Sequence, residues 1–195
     1  MTSPGEPVPR LPPQVLDAGF VVLRHLSVDD ADVLGEVVID NLDRLRPWMP
    51  WAAPEPLSSE QRRGVVAAMV ADHQRGVAST YGIWWEGRLV GSCGAHRRIG
   101  PGGIEIGYWL AAEASGRGLA TAAVGCLTAA CLDLSDVERV EIHVDRANLP
   151  SAHVPRRLGF ELVSALPHEL TAPGEEGIEC IWRAEATRWQ RPSSG

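Results

Sequence analysis

The sequence predicts an α/β protein built as a mixed sheet with helices on both faces. Three observations carry that expectation. Short runs of β-branched and aromatic residues alternate with helical stretches along the chain. "STYGIWWEGRLVGSCGAHRR" breaks at Glu86-Gly87 and reads as an antiparallel hairpin. Residues 104–145 read strand, helix, strand, which requires a parallel pair joined by a right-handed crossover.

The elements follow in order. Residues 1–15, with "MTSPGEPVPRLPPQ", are proline-rich and polar and are expected to form a loose tail. "GFVVLRHLS" is a strand. "SVDDADVLGEVVIDNL" is a helix, with Ser27 as N-cap and acidic residues in the first turn, where the dipole favours them. "DRLRPWMPWAAPEPLS" is a loop. "SSEQRRGVVAAMVADHQRG" is a second helix, capped by Ser58 or Ser59 and stopped near Gly76. After the hairpin, "GGIEIGYWLA" is a strand, and a helix follows from 119 to about 134. "RVEIHVDR" alternates cleanly: Val140, Ile142 and Val144 on one face, Glu141, His143 and Asp145 on the other. "LPSAHVPRRLGF" is a short helix ending at Gly159, and "FELVSAL" and "IECIWRAEA" are the last strands. With 195 residues, 45% of them hydrophobic, one core is expected, in a single domain over 16–188 with a short tail at 189–195.

Composition narrows the function. The net charge is -7, and all 18 basic residues are arginine. Such an acidic chain is a poor binder of nucleic acid, which needs a basic face. No apolar run approaches the ~20 residues of a membrane span. The first residues do not resemble a signal peptide. Cys93, Cys126, Cys131 and Cys180 form no CxxC pair, so reduced thiols in a cytoplasmic protein are expected.

"EASGRGLATAAV", residues 113–124, is the most pointed stretch. Gly116 and Gly118 can adopt conformations closed to other residues and let a ligand approach the main chain. The helix that follows opens with unpaired N–H groups and the positive end of its dipole. The turn is therefore either an ordinary strand-to-helix connection or an anion site made mostly of backbone, to which Arg117 adds charge.

The stretch "EIGYWLAAEASGRGLATAAV", followed by "RVEIHVDRANLPSAHVPRRLGF", resembles the GNAT superfamily of acetyl-CoA-dependent N-acetyltransferases. It is most similar to the Rim-type branch, which includes enzymes acetylating the N-termini of ribosomal proteins. "VVLRHLSVDDADVL", "DNLDRLRPWMPWA" and "GRLVGSCGAHR" extend the resemblance over nearly the whole chain. It implies a mostly antiparallel sheet whose central parallel pair splays at the cofactor site. The family's phosphate-binding pattern falls on Ser115, Gly116, Arg117, Gly118, Leu119 and Ala120, with Ser115 where the family usually has glutamine or arginine. The resemblance implies that N–H groups from Gly116 to Thr121 hold the coenzyme A pyrophosphate. It also implies a bulge in the strand carrying Tyr108, Trp109 and Leu110, whose free backbone groups pair with the pantetheine arm. No metal is implied.

Making an amide from a thioester needs a neutral amine, a stabilised oxyanion and a protonated leaving group. In the Rim-type branch the residues matching Asn148 and Ser151 lie beside the pantetheine and the sulfur. Asn148 would then anchor the cofactor and Ser151 would donate to the sulfur; as plain structure, either residue caps the following helix. The tyrosine acid of many superfamily members falls on Pro155 here, so it is absent, and Pro155 is expected to shorten or kink the helix. His143 is the first candidate base and Glu105 the second, with a packed strand histidine, or ordered water as base, as the alternatives. Trp48 and Trp51 would wall the acceptor, with Asn41 and Arg44 orienting its carbonyl or carboxylate, unless the tryptophans only pack the helices. The reading is an N-acetyltransferase acting on a protein N-terminus or a small amine. The alternatives are a non-catalytic acyl-CoA sensor, or an enzyme using a larger donor such as succinyl-CoA. A homodimer through an edge strand or the C-terminal hairpin is compatible with the pattern.

Overall fold

The computed structural model describes residues 8–191; the outer parts of the two expected tails, 1–7 and 192–195, lie outside the described residues. Eight strands form one sheet in the order β1-β2-β3-β4-β5-β6-β8-β7. They are β1 Val15–Asp17, β2 Val22–His25, β3 Ala78–Trp85, β4 Arg88–His96, β5 Gly103–Leu110, β6 Arg139–Asp145, β7 Glu161–Pro167 and β8 Ile178–Glu185. Only β5 and β6 run parallel; every other neighbouring pair is antiparallel. The helices are α1 Ala31–Ile39, α2 Leu42–Leu45, α3 Ser59–Gln74, α4 Leu119–Leu132 and α5 Leu149–Arg157.

Alternation places the layers. Val140, Ile142 and Val144 join a core with Ile104, Ile106 and the buried stripe of α4, including Val124 and Leu127. On the other face, Leu34 and Val38 of α1 and Val66 of α3 pack with Leu26 and Leu89. Helices therefore cover both faces, as the alternation of elements predicts. The hairpin turn has Glu86 at φ 50° and Gly87 at φ 75°, the left-handed pair that a two-residue connection requires.

Three details differ from the sequence expectation. β1 begins at Val15, the last residue of the expected tail, and pairs with β2, and Tyr81 donates its hydroxyl to the Pro13 carbonyl, inside that tail, at 2.9 Å. At the other end Trp189 donates its indole N–H to the Leu158 carbonyl at 2.8 Å, so packing continues past residue 188. The loop after α1 contains α2 and a 3-10 turn at Pro50–Ala52.

The bulge expected around Tyr108 is absent. β5 keeps an unbroken register with β4, from His96↔Glu105 to Gly91↔Leu110. On its other side it pairs with β6 only through Gly103↔Arg139, Ile104↔Val140 and Glu105↔Glu141. β6 then leaves with β8, to which it stays paired from Arg139 to Asp145. The sheet opens between β5 and β6, each of which stays paired with its outer neighbour, and β5 needs no bulge for it.

Candidate active site

The opening leaves the backbone of Ile106–Leu110 without a strand partner on the β6 side. A polypeptide edge facing into a sheet presents unused donors and acceptors that an extended, amide-bearing ligand can pair with.

The glycine turn lies at the end of this edge. Gly116 (φ 76°) and Gly118 (φ 80°) are left-handed, and an added Cβ at either would meet nothing within 4 Å. Gly118 is the residue before α4 and supplies no side-chain cap, so the first N–H groups of the helix stay uncovered. Space, free donors and the helix dipole together make a cradle that fits a phosphate. Arg117 is engaged by other groups: its Nε donates to the Glu113 carbonyl at 3.2 Å, and its guanidinium lies 5.1 Å from the Trp85 ring centre.

β6 ends at the other side of the opening, where α5 begins. Asn148 caps α5, its Oδ1 accepting from the Ser151 N–H at 3.3 Å. Ser151 is thus inside the first turn rather than the cap, and its hydroxyl makes no hydrogen bond among the described residues. Pro155 does not stop the helix, which runs on to Arg157. It does lack the N–H that would pair with the Ser151 carbonyl. That carbonyl instead accepts the Tyr108 hydroxyl at 2.6 Å, tying α5 to β5 across the opening.

A cleft of about 1120 Å³ spreads from this opening over the α1 and α3 face of the sheet. Trp48, Trp51, Met69 and Trp109 line one side, and His143, His168 and Glu179 the other. The Trp51 and Trp109 rings are tilted, with centres 6.1 Å apart. Gly94 and Gly107 face each other in the floor. A Cβ on Gly107 would find nothing within 4 Å, so the floor is bare there.

The two candidate bases have different surroundings. Both oxygens of Glu105 are held by Arg98, Nε to Oε2 at 2.7 Å and Nη2 to Oε1 at 2.5 Å. Burial pushes that carboxyl up, but the Arg98 contacts outweigh it and hold the group below its ordinary value. His143 places Nε2 3.0 Å from buried Glu141, while Nδ1 stands 3.4 Å from Glu179 on the cleft side. In the tautomer where Nε2–H donates a hydrogen bond to Glu141, the neutral ring has its lone pair on Nδ1.

The acceptor candidates divide. Trp48 and Trp51 line the cleft. Asn41 and Arg44 are not among its lining residues. Asn41 is buried and uses both ends of its amide on backbone: Nδ2 donates to the Val37 carbonyl at 2.8 Å, and Oδ1 accepts from the Ala112 N–H at 2.7 Å. Arg44 reaches the glycine turn instead, with Nη2 3.0 Å from the Ser115 hydroxyl.

A family model, described as an acetyltransferase (GNAT) domain, matches residues 21–161, a span that holds the opening, the glycine turn and α5. This chain belongs to the GNAT acetyltransferase family. The acetyltransferase is 32% identical over 145 residues to YdaF of Bacillus subtilis, provisionally named a ribosomal N-acetyltransferase, with 72% of this chain and 77% of that protein covered. Its fold matches RimL, an acetyltransferase of the ribosomal protein L7/L12 α-amine solved with coenzyme A, at TM-score 0.81 and 23% identity, covering 88% of this chain and 97% of RimL. It also matches MccE, a microcin C7 self-immunity acetyltransferase solved with acetyl-CoA and AMP, at TM-score 0.81 and 21% identity, covering 90% of this chain and 98% of MccE.

Sequence reasoning missed one polar cluster of this acetyltransferase. Buried Asp145, at the end of β6, accepts from the N–H groups of Ala147 (2.8 Å), Glu176 (3.1 Å), Gly177 (2.9 Å) and Ile178 (3.3 Å). His168 Nε2 lies 3.1 Å from its Oδ2. Asp145 therefore clamps the loop before β8 against the start of α5 and holds His168 at the cleft. The only signal in the sequence was the polar position at the strand end.

The clamp yields a stability prediction. Burial favours the neutral Asp145, but the N–H and His168 contacts dominate and hold its pKa at about 2, below the ordinary 3.8. Its contribution is complete above about 3.8 and lost as pH falls through about 2. Asp145→Ala leaves several part-buried N–H groups without their acceptor and should cost about 2 kcal/mol. Urea unfolding at pH 7 measures that loss, and the gap between parent and variant should narrow on acidification toward pH 2.

Proposed function

We propose that this acetyltransferase passes the acetyl group of acetyl-CoA directly to the primary amine of a protein or peptide N-terminus. The observation that carries the reading is the unpaired backbone edge of Ile106–Leu110, set between the glycine turn and the start of α5. The cradle of 116–121 takes the pyrophosphate, the β5 edge takes the pantetheine amides, and Asn148 offers its amide nitrogen beside the arm. The names of YdaF and RimL, both ribosomal-protein acetyltransferases, favour an N-terminal acceptor. The acceptor enters over bare Gly107, between the tryptophan wall and the carboxylates opposite.

The chain's residues then serve one displacement. The C–N bond forms as the C–S bond breaks; one proton leaves the nitrogen and one reaches the sulfur. His143 takes the amine proton on Nδ1, with Glu141 fixing the ring from behind. Glu105 is the weaker base because Arg98 occupies both of its oxygens. The Ser151 hydroxyl donates toward the sulfur, an interaction that strengthens only as charge develops there. No cysteine takes part: Cys93, Cys131 and Cys180 are buried, and burial raises their pKa values.

A thiol-release assay with acetyl-CoA and a dipeptide panel tests the activity; no thiol release above the acceptor-free rate with any amine would overturn it. Ser151→Ala should slow turnover roughly ten- to a hundredfold, with acetyl-CoA affinity unchanged. Its stability should also hold, because Asn148 makes the cap; Asn148→Ala should lose about 1 kcal/mol instead. A fast Ser151→Ala enzyme would remove the hydroxyl from the mechanism.

His143→Ala should lower kcat/KM about a hundredfold at neutral pH. Glu105→Gln should keep it within a few-fold of the parent, about the effect of a residue outside the proton transfer. The opposite pattern would move the base to Glu105.

A further inference from the structure

We propose that Arg44 is the side-chain cation for the coenzyme pyrophosphate, reaching the turn from the helix that leads into the acceptor wall. The inference rests on the placement of the phosphate at 116–121. A pyrophosphate on the backbone N–H groups gains further from a side-chain cation beside them. Arg117 is committed to the Glu113 carbonyl and the Trp85 face. The chain contains no lysine to stand in.

Arg44 meets the requirement by position and by its unspent capacity. It lies in α2, 71 residues away in sequence, and places Nη2 3.0 Å from the Ser115 hydroxyl. Small Ser115 leaves room for the guanidinium and is itself held by the Ala111 carbonyl at 3.1 Å. Most of the described arginines face a carboxylate, as Arg98 faces Glu105 and Arg63 faces Asp32. Arg44 is exposed and meets a neutral hydroxyl, at the lip of a turn whose uncovered N–H groups await an anion. A guanidinium carries five donors in a planar fork suited to phosphate oxygens, and the serine uses one.

The placement is secured by a second contact. Asn41, three residues earlier, grips the Ala112 N–H at 2.7 Å, so the corner between α1 and α2 is pinned to the turn at two points. The same segment continues to Trp48 and Trp51 in the cleft wall. A phosphate drawing on Arg44 would therefore brace the acceptor side as it binds.

Dissociation constants for three donors test this. Arg44→Ala should weaken acetyl-CoA binding roughly tenfold, the size of one exposed charge-assisted contact. Acetyl-dephospho-CoA, which keeps the pyrophosphate, should lose the same factor. S-acetylpantetheine, which has no phosphate, should lose nothing. Arg44→Gln keeps a donor for Ser115 without the charge and should behave like the alanine variant, while Arg117→Ala should stay within about twofold. Unchanged acetyl-CoA affinity in both Arg44 variants overturns the proposal. So does a loss shared by S-acetylpantetheine, or one confined to donors with the 3′-phosphate. Gly118→Val separates the two readings: normal acetyl-CoA affinity there removes the phosphate from the turn, and Arg44 with it, whereas weakened binding there beside normal Arg44 variants removes Arg44 alone.

Discussion

β6 parts from β5 after Glu105↔Glu141, and the rest of the molecule is arranged around that parting. Backbone donors and acceptors in mid-sheet normally find a neighbouring strand, and leaving them bare costs stability. Here β5 stays paired with β4 and β6 with β8, so the cost falls only on the two edges that face each other across the gap. The two chain ends created by the divergence become the two poles of the site. β5 runs out into the glycine turn, and β6 runs out into Asp145 and the cap of α5.

The gap is held open by polar contacts rather than by filling. Tyr108 crosses it to the Ser151 carbonyl, which Pro155 leaves without a helical partner. A proline that would be a defect in an isolated helix thus creates the acceptor for a cross-link. Asp145 draws the loop before β8 toward the same point. Both devices act at the ends of β6, where strand pairing can no longer set the spacing.

Much of this was legible in the sequence because it depends on local pattern. The alternation of 139–145 put Glu141, His143 and Asp145 on one face, and the structure keeps them there. Gly87 and the glycines at 116 and 118 take the left-handed angles that glycine allows, whereas Glu86 is carried to a positive φ by the tight turn. What escaped depends on distance. β1 is three residues long, too short for a pattern. α2 is a four-residue turn whose Leu45 is buried by tertiary packing rather than by a periodic stripe. His168 meets Asp145 across 23 residues, and Arg44 meets Ser115 across 71; no spacing rule reports such pairs. The expected bulge failed for a related reason. A sheet can open by a bulge in one strand or by two regular strands parting, and the unbroken registers on both sides of the gap show the second.

The cations beside the cleft have a chemical property of their own. Arg62, paired with buried Glu55, and Arg98, paired with Glu105, both line it. An ammonium on a flexible stem at either place would shed its proton from time to time and compete for the thioester, since lysine amines are readily neutralised when desolvated. A guanidinium keeps its charge at any pH the fold survives. With arginine as its only basic side chain besides histidine, the protein can keep positive charge next to an activated acyl group and offer that group no amine side chain of its own to consume.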